Sequence, residues 1–293
     1  MKPGPLALLI VLLWGLNWPA AAAALGGIPP LLFRVASLGL GGLLLLAYCG
    51  MQGLSLRPSG PAALPRLAMA ALLNVVAWNL LSVYAIVELN GARAAILAFT
   101  MPFWTVLIER LLGERPGRAQ VLALGLGALG LAGLVVSAGT DPSFSAQGAA
   151  LMLLAALSWA VGSVYVRRRP VALPRAAFAS WTLLLGALMV GLLLPLEPQT
   201  GWTPDSLSAS ALLGFLYAAC IGMALCQACW FALLDRLGPT ASALALLGIP
   251  PVGAAASWLL LAAPVSRLDI VSLALLLLAA ALPPLLNRPQ QAP

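Results

Sequence analysis

Residues 5–24 read PLALLIVLLWGLNWPAAAAA, a run of twenty residues without a charged side chain. The hydrocarbon core of a bilayer is about 30 Å thick, and an α-helix of about 20 residues crosses it. The run therefore predicts a membrane-spanning helix. No small-residue cleavage signature follows a short apolar core, so we interpret the run as the first span and not as a removed signal peptide.

The rest of the chain continues this pattern. Of its 293 residues, 62% are hydrophobic and 8% are charged, whereas soluble domains carry about 25% charged residues. Because so few charges cannot cover a solvated surface, most of the surface must face lipid. The apolar runs are continuous, which favours helices over the alternating strands of a β-barrel. We predict an all-α integral membrane protein with ten spans, at residues 5–24, 30–50, 65–87, 93–112, 118–137, 147–167, 174–195, 208–233, 240–262 and 267–287.

The basic residues orient these spans. Cytoplasmic loops carry an excess of Lys and Arg, and an N-terminus placed inside leaves only Arg93 and Arg267 outside. We therefore predict a multi-pass inner-membrane protein with both termini cytoplasmic. The basic residues behind the net charge of +7 lie between apolar runs and do not line a single face, so we expect no nucleic-acid partner. The inside set comprises Lys2, Arg57, Arg66, Arg110, Arg115, Arg118, Arg167, Arg168, Arg169, Arg175, Arg236 and Arg288.

The two halves of the chain can be aligned with each other, which predicts repeats at 1–140 and 141–293. The aligned pairs are Trp14 with Trp159, Pro29 with Pro174, Phe33 with Phe178, Gly41 with Gly186, Tyr84-Ala85 with Phe231-Ala232, Pro102 with Pro250 and Pro116 with Pro264. Each half holds five predicted spans. Because that number is odd, the second half is inverted relative to the first, an arrangement typical of secondary transporters.

Several short motifs point to a known family. They are Trp14-Gly15-Leu16-Asn17, Pro29 followed by Phe33-Arg34, Tyr84-Ala85-Ile86, Pro102, and Leu112-Gly113-Glu114-Arg115 before a glycine-rich fifth span. On these residues the chain resembles the drug/metabolite transporter superfamily, in its ten-helix bacterial branch with paired EamA-type repeats. The resemblance implies export or exchange of amino acids, drugs or other metabolites. Within the superfamily the chain is most similar to exporters of amino acids, including aromatic ones.

The second half departs from this pattern at one point. Ala262-Ala263 stand where Gly113-Glu114 would recur. Glu114, at the cytoplasmic end of the fourth span, therefore has no counterpart in the ninth span.

Two prolines predict where a central cavity lies. Pro102 and Pro250 fall in the middle of spans four and nine, at corresponding points of the two halves. A proline leaves a carbonyl without its helical partner, and such a group is tolerated where it lines a wet cavity. We therefore interpret these positions as helix breaks at the site, although simple kinks are the alternative.

Polar and aromatic residues predicted at mid-depth complete the candidate site. The substrate-binding candidates are Asn17, Asn74, Trp78, Asn79, Phe99, Trp104, Trp159, Ser163, Gln227 and Trp230. Polar side chains in a span face the bundle interior, where they either contact substrate or join helices by hydrogen bonds. Aromatic walls with a few amides suit a zwitterion with an apolar side chain, or a drug-like or quaternary-ammonium cation bound by cation–π contacts. The composition does not separate these two solutes.

The charged residues bear on the mechanism. Every Asp and Glu falls near a span end, with Glu88, Asp141, Glu197, Asp205 and Asp269 outside and Glu109, Glu114 and Asp235 inside. Because proton-coupled carriers keep an acid or a His deep in the membrane, we predict alternating access without obligatory proton coupling. Arg34 lies one turn into the second span, where we expect it to reach the outer headgroups in preference to an electrostatic role at the outer mouth.

Other classes of protein fit the sequence less well. The chain has no His, and no nucleophile, base or acidic pair indicates an integral-membrane enzyme, which is the distant alternative. Cys226 and Cys229 lack further ligands, so we expect no metal and no cofactor. The glycines of the fifth span (Gly125, Gly127, Gly130 and Gly133) indicate close helix packing within a monomer. The expected partners are a small-molecule substrate and the lipid bilayer.

Overall fold

A computed structural model describes residues 3–89, 94, 97–137, 145–197, 202–203, 207–253, 255 and 266–286. Throughout these ranges the regular structure is helical, and they contain no strand. Several predicted features lie outside the described residues: Lys2, Arg93, Asp141, Asp205, Ala262-Ala263, Pro264 and Arg288.

The helices follow the predicted spans closely over most of the chain. They are α1 (Pro3–Leu25), α2 (Pro30–Met51), α3 (Ala63–Leu89), α4 (Met101–Leu111), α5 (Arg118–Ser137), α6 (Ala146–Arg168), α7 (Arg175–Gly191), α8 (209–237), α9 (239–253) and α10 (Arg267–Leu286). Local signals set their starts. Ser145 and Ser208 accept hydrogen bonds from the backbone N–H groups of Gly148 and Ala211 at the starts of α6 and α8, as N-cap serines do.

Seven helices in the described ranges are long and apolar enough to cross a membrane. Three features of the described helices explain why this number is below ten. In α10 only Ile270–Leu282 counts as an apolar helix, which is too short to be included. A turn at Phe99-Thr100 divides the fourth predicted span, and the helix that follows the turn, α4, has 11 residues. Helices α8 and α9 are joined without a loop, so that residues Ala209–Gly253 form one run of 45 residues. A single residue breaks that run: Gly238, with φ 77° and ψ 171°.

The helices pack in specific pairs. Helix α5 lies on α10, α2 on α7, α3 on α6, and α1 on α8. The α5–α10 pair depends on glycine, because a Cβ at Gly130 would lie 2.8 Å from the carbonyl oxygen of Ser272. The glycines of the fifth span therefore bring two helices of this chain together, although Gly125 has no neighbour within 4 Å.

Side-chain contacts tie the helix ends together at two faces. At one, which we call the arginine face, Arg66 donates to the Pro170 carbonyl (3.1 Å), Arg168 pairs with Glu114 (3.1 Å), and Arg175 pairs with Asp235. At the opposite face, Glu88 accepts from Ser145 (2.8 Å). Glu197 there accepts from the backbone N–H groups of Leu31 (2.6 Å) and Leu32 (3.2 Å). Glu114 thus has its partner in α6.

Two stretches of π-helix, which the sequence did not predict, interrupt the central helices. Ala71–Ala77 lies in α3 and Ala218–Leu225 in α8. A π-helical stretch widens the backbone spiral by one residue and is frequent at functional sites. Both stretches contact the middle of the bundle, since Asn74 and Val75 of the first and Gly222 and Met223 of the second are buried.

Candidate functional site

A cavity of about 90 Å³ lies between the central helices. It draws residues from both halves of the chain and from helices α1, α2, α3, α4, α6, α8 and α9. On α1, α2 and α3 the lining residues lie between the middle of the helix and its end at the face opposite the arginine face. The described lining comprises Trp14, Asn17, Trp18, Ala21, Arg34, Trp78, Asn79, Ser82, Ile86, Ala98, Phe99, Met101, Trp159, Met223, Gln227, Leu246 and Ile249.

Four tryptophans form a cluster at one end of this cavity. Trp159 of α6 is its centre, with ring centroids 5.8 Å from Trp14, 5.1 Å from Trp78 and 5.5 Å from Trp230. Edge-to-face and tilted aromatic pairs at such distances add about 0.5–1.5 kcal/mol each beyond their buried area. The cluster therefore forms a rigid wall contributed by α1, α3, α6 and α8.

Three amide side chains bring polar atoms to the cavity. The Oδ1 atoms of Asn17 and Asn79 and the Nε2 atom of Gln227 are buried and have no hydrogen-bond partner among the described residues. The orientation of Asn79 is fixed, because its Nδ2 donates to the Val75 carbonyl at 2.7 Å. A buried polar atom without a partner costs about 1–3 kcal/mol. The three residues line the cavity, and two acceptors and one donor among their atoms are left without a partner.

Arg34 is the one charged side chain among the described lining residues. It is only 5% exposed, and its guanidinium carbon lies 5.1 Å from the centre of the Phe33 ring. The expectation that Arg34 reaches the headgroups is wrong. Its side chain turns into the bundle and lies beside the Phe33 ring.

Six of the ten predicted substrate-binding residues line the cavity: Asn17, Trp78, Asn79, Phe99, Trp159 and Gln227. The other four lie outside the described lining. Asn74 donates to the Trp159 carbonyl (3.1 Å) and to Ser163 (3.3 Å), so these two residues join α3 to α6. Trp230 is a fully buried member of the tryptophan cluster and does not reach the described lining. Trp104 is partly buried and packs against the core.

The two prolines lie beside interruptions of their helices. Phe99 and Thr100 form a turn, and α4 begins at Met101, so Pro102 occupies a first turn and not the middle of a continuous helix. A 3-10 turn, Leu246–Gly248, precedes Pro250. The residue before each proline, Met101 or Ile249, lines the cavity.

Sequence reasoning missed several lining residues, among them Trp14, Trp18, Ser82 and Met223. A helical stripe could have identified the first two. Positions 14, 17, 18 and 21 follow the i, i+3, i+4, i+7 spacing of one helix face, and all four line the cavity. Met223 lies four positions before Gln227, which also lines the cavity, so the same i, i+4 spacing could have identified it.

The arginine face is closed by polar contacts. The Glu109 carboxylate accepts a hydrogen bond from Thr240 of α9, close to the break at Gly238. Arg167 donates to the Asp235 carbonyl at 3.2 Å. These contacts join α4, α6, α8 and α9 beyond the tryptophan cluster. The described residues include no group of three or more His, Cys, Asp or Glu side chains that could hold a metal ion.

Several known proteins are similar to the chain. The "Probable amino-acid metabolite efflux pump" of Salmonella typhimurium is 27% identical over 285 residues, which cover 94% of this chain and 92% of that protein. The uncharacterized inner membrane transporter YedA of Escherichia coli is 28% identical over 211 residues, 71% of this chain and 66% of that protein. The uncharacterized transporter YvbV of Bacillus subtilis is 34% identical over 162 residues; this match spans 54% of the chain and 52% of YvbV, about half of each.

The fold and the family are also shared with known proteins. A crystal structure at 22% sequence identity superposes with a TM-score of 0.75 and covers 97% of this chain and 98% of that chain. The EamA-like transporter family matches the sequence twice, over residues 2–136 and 146–282. The family and the names of the relatives indicate a transporter and not an enzyme. The chain therefore belongs to the EamA-like transporter family and is a multi-pass membrane transporter built from two EamA repeats.

Proposed function

We propose that this transporter exports amino acids, including aromatic ones, across the inner membrane by alternating access. The observation that carries the proposal is the composition of the cavity. Tryptophan rings such as Trp78 and Trp159 can pack on an apolar side chain, while the unpartnered Asn17 and Asn79 oxygens can accept hydrogen bonds from an ammonium group. The name of the Salmonella typhimurium relative, an amino-acid metabolite efflux pump, supports the same class of solute.

We propose ten spans for this transporter. The run Ala209–Gly253 has 45 residues and at 1.5 Å per residue would extend about 68 Å, more than twice the hydrocarbon thickness. The break at Gly238 divides this run into two crossings. Length and hydropathy identify seven helices, and the division at Gly238 makes eight crossings. Helices α4 and α10 supply the remaining two crossings.

The proposed repeats are inverted. Helix α2 begins beside Glu197, which follows α7, so these corresponding helices run in opposite directions. The π-helical stretches begin at Ala71 and Ala218, 147 positions apart, the offset that aligns Tyr84 with Phe231. Met101 and Ile249 line the cavity from corresponding positions as well. Together these observations support two five-helix units, 1–140 and 141–293, around a central site.

The cavity also bears on the mechanism. Its volume of about 90 Å³ is below the roughly 300–1,000 Å³ of typical ligand pockets, so entry of a solute requires the surrounding helices to separate. No Asp, Glu or His stands among the described lining residues. We therefore propose gradient-driven movement without obligatory proton coupling, carried out by a monomer.

The decisive experiment is transport by the purified protein in liposomes. Vesicles loaded with a panel of labelled amino acids and quaternary amines are diluted, and efflux is followed with and without an imposed pH gradient. We expect efflux of apolar and aromatic amino acids under both conditions. Efflux of quaternary amines alone would favour the alternative of a cation efflux carrier, and a strict need for the pH gradient would overturn uncoupled transport.

The topology has a separate test. Under the proposed orientation, which has both termini in the cytoplasm, a reporter that is active only in the cytoplasm works when fused after Pro293. The same fusion with a reporter active only in the periplasm stays inactive. Activity of the periplasmic reporter would overturn the proposed orientation without affecting the cavity.

A further inference from the structure

Arg34 presents an unusual electrostatic situation inside the bundle. It is 5% exposed and lines the cavity, and its Nε has no hydrogen-bond partner among the described residues. A charged group within a membrane bundle pairs with another group or marks a solute pathway. A buried charge without compensation is strongly destabilising. The position of Arg34 therefore calls for an anion that the described part of the protein does not provide.

The acidic side chain placed at the start of α2 does not fill this role. Glu197 directs its two carboxylate oxygens to the backbone N–H groups of Leu31 and Leu32. The salt bridges formed among the described residues are Arg168–Glu114 and Arg175–Asp235. Both lie at the arginine face. Glu197 satisfies the helix N-terminus, and the guanidinium is left to the cavity.

We infer that Arg34 binds the carboxylate of the transported solute and thereby sets the class of solute. The guanidinium is a planar fork of donors that matches a carboxylate. One positive charge balances one negative charge, which favours a monocarboxylate over a dianionic phosphate. The Phe33 ring lies at a cation–π distance of 5.1 Å from the guanidinium carbon and supplies no acceptor for the guanidinium N–H groups.

This inference rests on the proposed function and narrows it. A zwitterionic amino acid would place its carboxylate at Arg34 and its ammonium group at the Asn17 and Asn79 oxygens. An amine without a carboxylate would place a second positive charge in the cavity beside Arg34, so the site rejects it.

The test compares acids with their amides, because the two differ only at the carboxylate. Purified full-length protein in detergent is titrated with L-phenylalanine and L-phenylalaninamide, and with the corresponding leucine and methionine pairs, by tryptophan fluorescence and calorimetry. We expect each preferred acid to bind at least about tenfold more tightly than its amide, since 1.4 kcal/mol corresponds to tenfold. Equal binding of acid and amide in the wild-type protein would overturn the inference.

Two variants of Arg34 and one control assign the effect to this residue. Arg34→Gln should bring the acid-to-amide ratio close to one, whereas Arg34→Lys should keep a preference for acids at reduced affinity. Arg57→Gln removes a charge from an exposed loop position and should leave the ratio unchanged. A ratio that survives in folded Arg34→Gln would also overturn the inference. If Arg34→Gln does not fold, the wild-type acid and amide titrations still decide.

The outcomes separate this inference from the proposed function. Efflux of amino acids from liposomes without an acid-to-amide preference would leave the proposed function standing and remove the role of Arg34. Absence of both binding and efflux for every amino acid tested would remove both. Tighter binding of phenethylamine than of 3-phenylpropionate, which carries the carboxylate without the amine, would point to a cation site.

Discussion

Trp14 of α1 and Trp159 of α6 meet edge to face, with ring centroids 5.8 Å apart and planes inclined by 74°. The two residues occupy corresponding positions of the two halves, yet their indole N–H groups differ. The Nε1 of Trp14 donates to the Gly222 carbonyl of α8 at 3.0 Å. The Nε1 of Trp159 is buried and has no partner among the described residues. One indole N–H therefore joins two helices, and the other lacks a partner on a side chain that lines the cavity.

This difference predicts different effects of the same substitution. Trp14→Phe should lower the midpoint of thermal unfolding, because a buried hydrogen bond contributes about 0.5–1.5 kcal/mol. Trp159→Phe loses the same indole volume but no hydrogen bond, so it should lower the midpoint less than Trp14→Phe does. It should raise KM for efflux by roughly twofold to tenfold, the same free energy expressed as binding. Trp104→Phe, outside the described lining, is the control and should retain wild-type KM. A wild-type KM in Trp159→Phe would contradict the assignment.

Asn74 and Asn79 lie five residues apart on α3. Substitutions at these two positions should distinguish a residue that joins helices from one that contacts the solute. Asn74 donates to the Trp159 carbonyl and to Ser163, so Asn74→Ala should destabilise the protein by about 1 kcal/mol, the typical worth of such a bond in a membrane bundle. Asn79 lines the cavity, and its Oδ1 has no hydrogen-bond partner among the described residues. Asn79→Ala should therefore raise KM for zwitterions more than it lowers stability. Thermal unfolding and efflux kinetics on the two variants measure both effects.

The controls for this pair come from the solutes themselves. If Asn79 contacts the ammonium group, Asn79→Ala should weaken the binding of L-phenylalanine more than the binding of 3-phenylpropionate, which has no amine. An equal loss for both solutes would instead mean that Asn79 supports the shape of the cavity. Asn74→Ala should weaken the binding of both solutes equally or leave it unchanged.

The fold was largely predictable, because hydrophobic periodicity and length act locally. The first two spans, 5–24 and 30–50, agree with helices Pro3–Leu25 and Pro30–Met51. The junction of α8 and α9 was not predictable. It depends on the backbone of Gly238 (φ 77°) and on contacts of Asp235 and Thr240 with distant arginine and glutamate side chains. Such long-range contacts leave no periodic signal.

The site was partly predictable for a related reason. Buried amides are conspicuous in an apolar helix, and Asn79 and Gln227 were found on that basis. Whether a polar residue faces the cavity or a neighbouring helix depends on the rotation of its helix. Asn74, 12 positions before Ile86 on the same helix, therefore faces α6 while Ile86 faces the cavity. The direction of the Arg34 side chain was predicted wrongly, because an arginine near a helix end can turn either towards the headgroups or into the bundle.

Two glutamates at opposite faces should differ in their contribution to stability. Glu197 accepts two backbone hydrogen bonds at the start of α2, so Glu197→Ala should cost about 0.5–2 kcal/mol, as loss of a helix cap does. Glu114 pairs with Arg168 at side-chain exposures of 62% and 42%, and exposed pairs contribute about 0–1 kcal/mol. Glu114→Ala should therefore shift the unfolding midpoint less than Glu197→Ala. The reverse order would contradict the capping role of Glu197.

The glycines of α5 provide a test of packing within one helix. A Cβ at Gly130 would lie 2.8 Å from both the Ser272 carbonyl oxygen and Leu276 Cγ of α10, whereas a Cβ at Gly125 would meet nothing within 4 Å. Gly130→Ala should therefore cost about 1–3 kcal/mol, the usual penalty for overpacking. Gly125→Ala should be neutral or stabilising, because alanine favours helix by up to about 1 kcal/mol over glycine.

Thermal unfolding in detergent measures the difference, and size-exclusion chromatography reports the oligomeric state. If the glycines instead formed a seam between two copies of the chain, Gly130→Ala would change the oligomeric state and leave the unfolding midpoint of the monomer as it was.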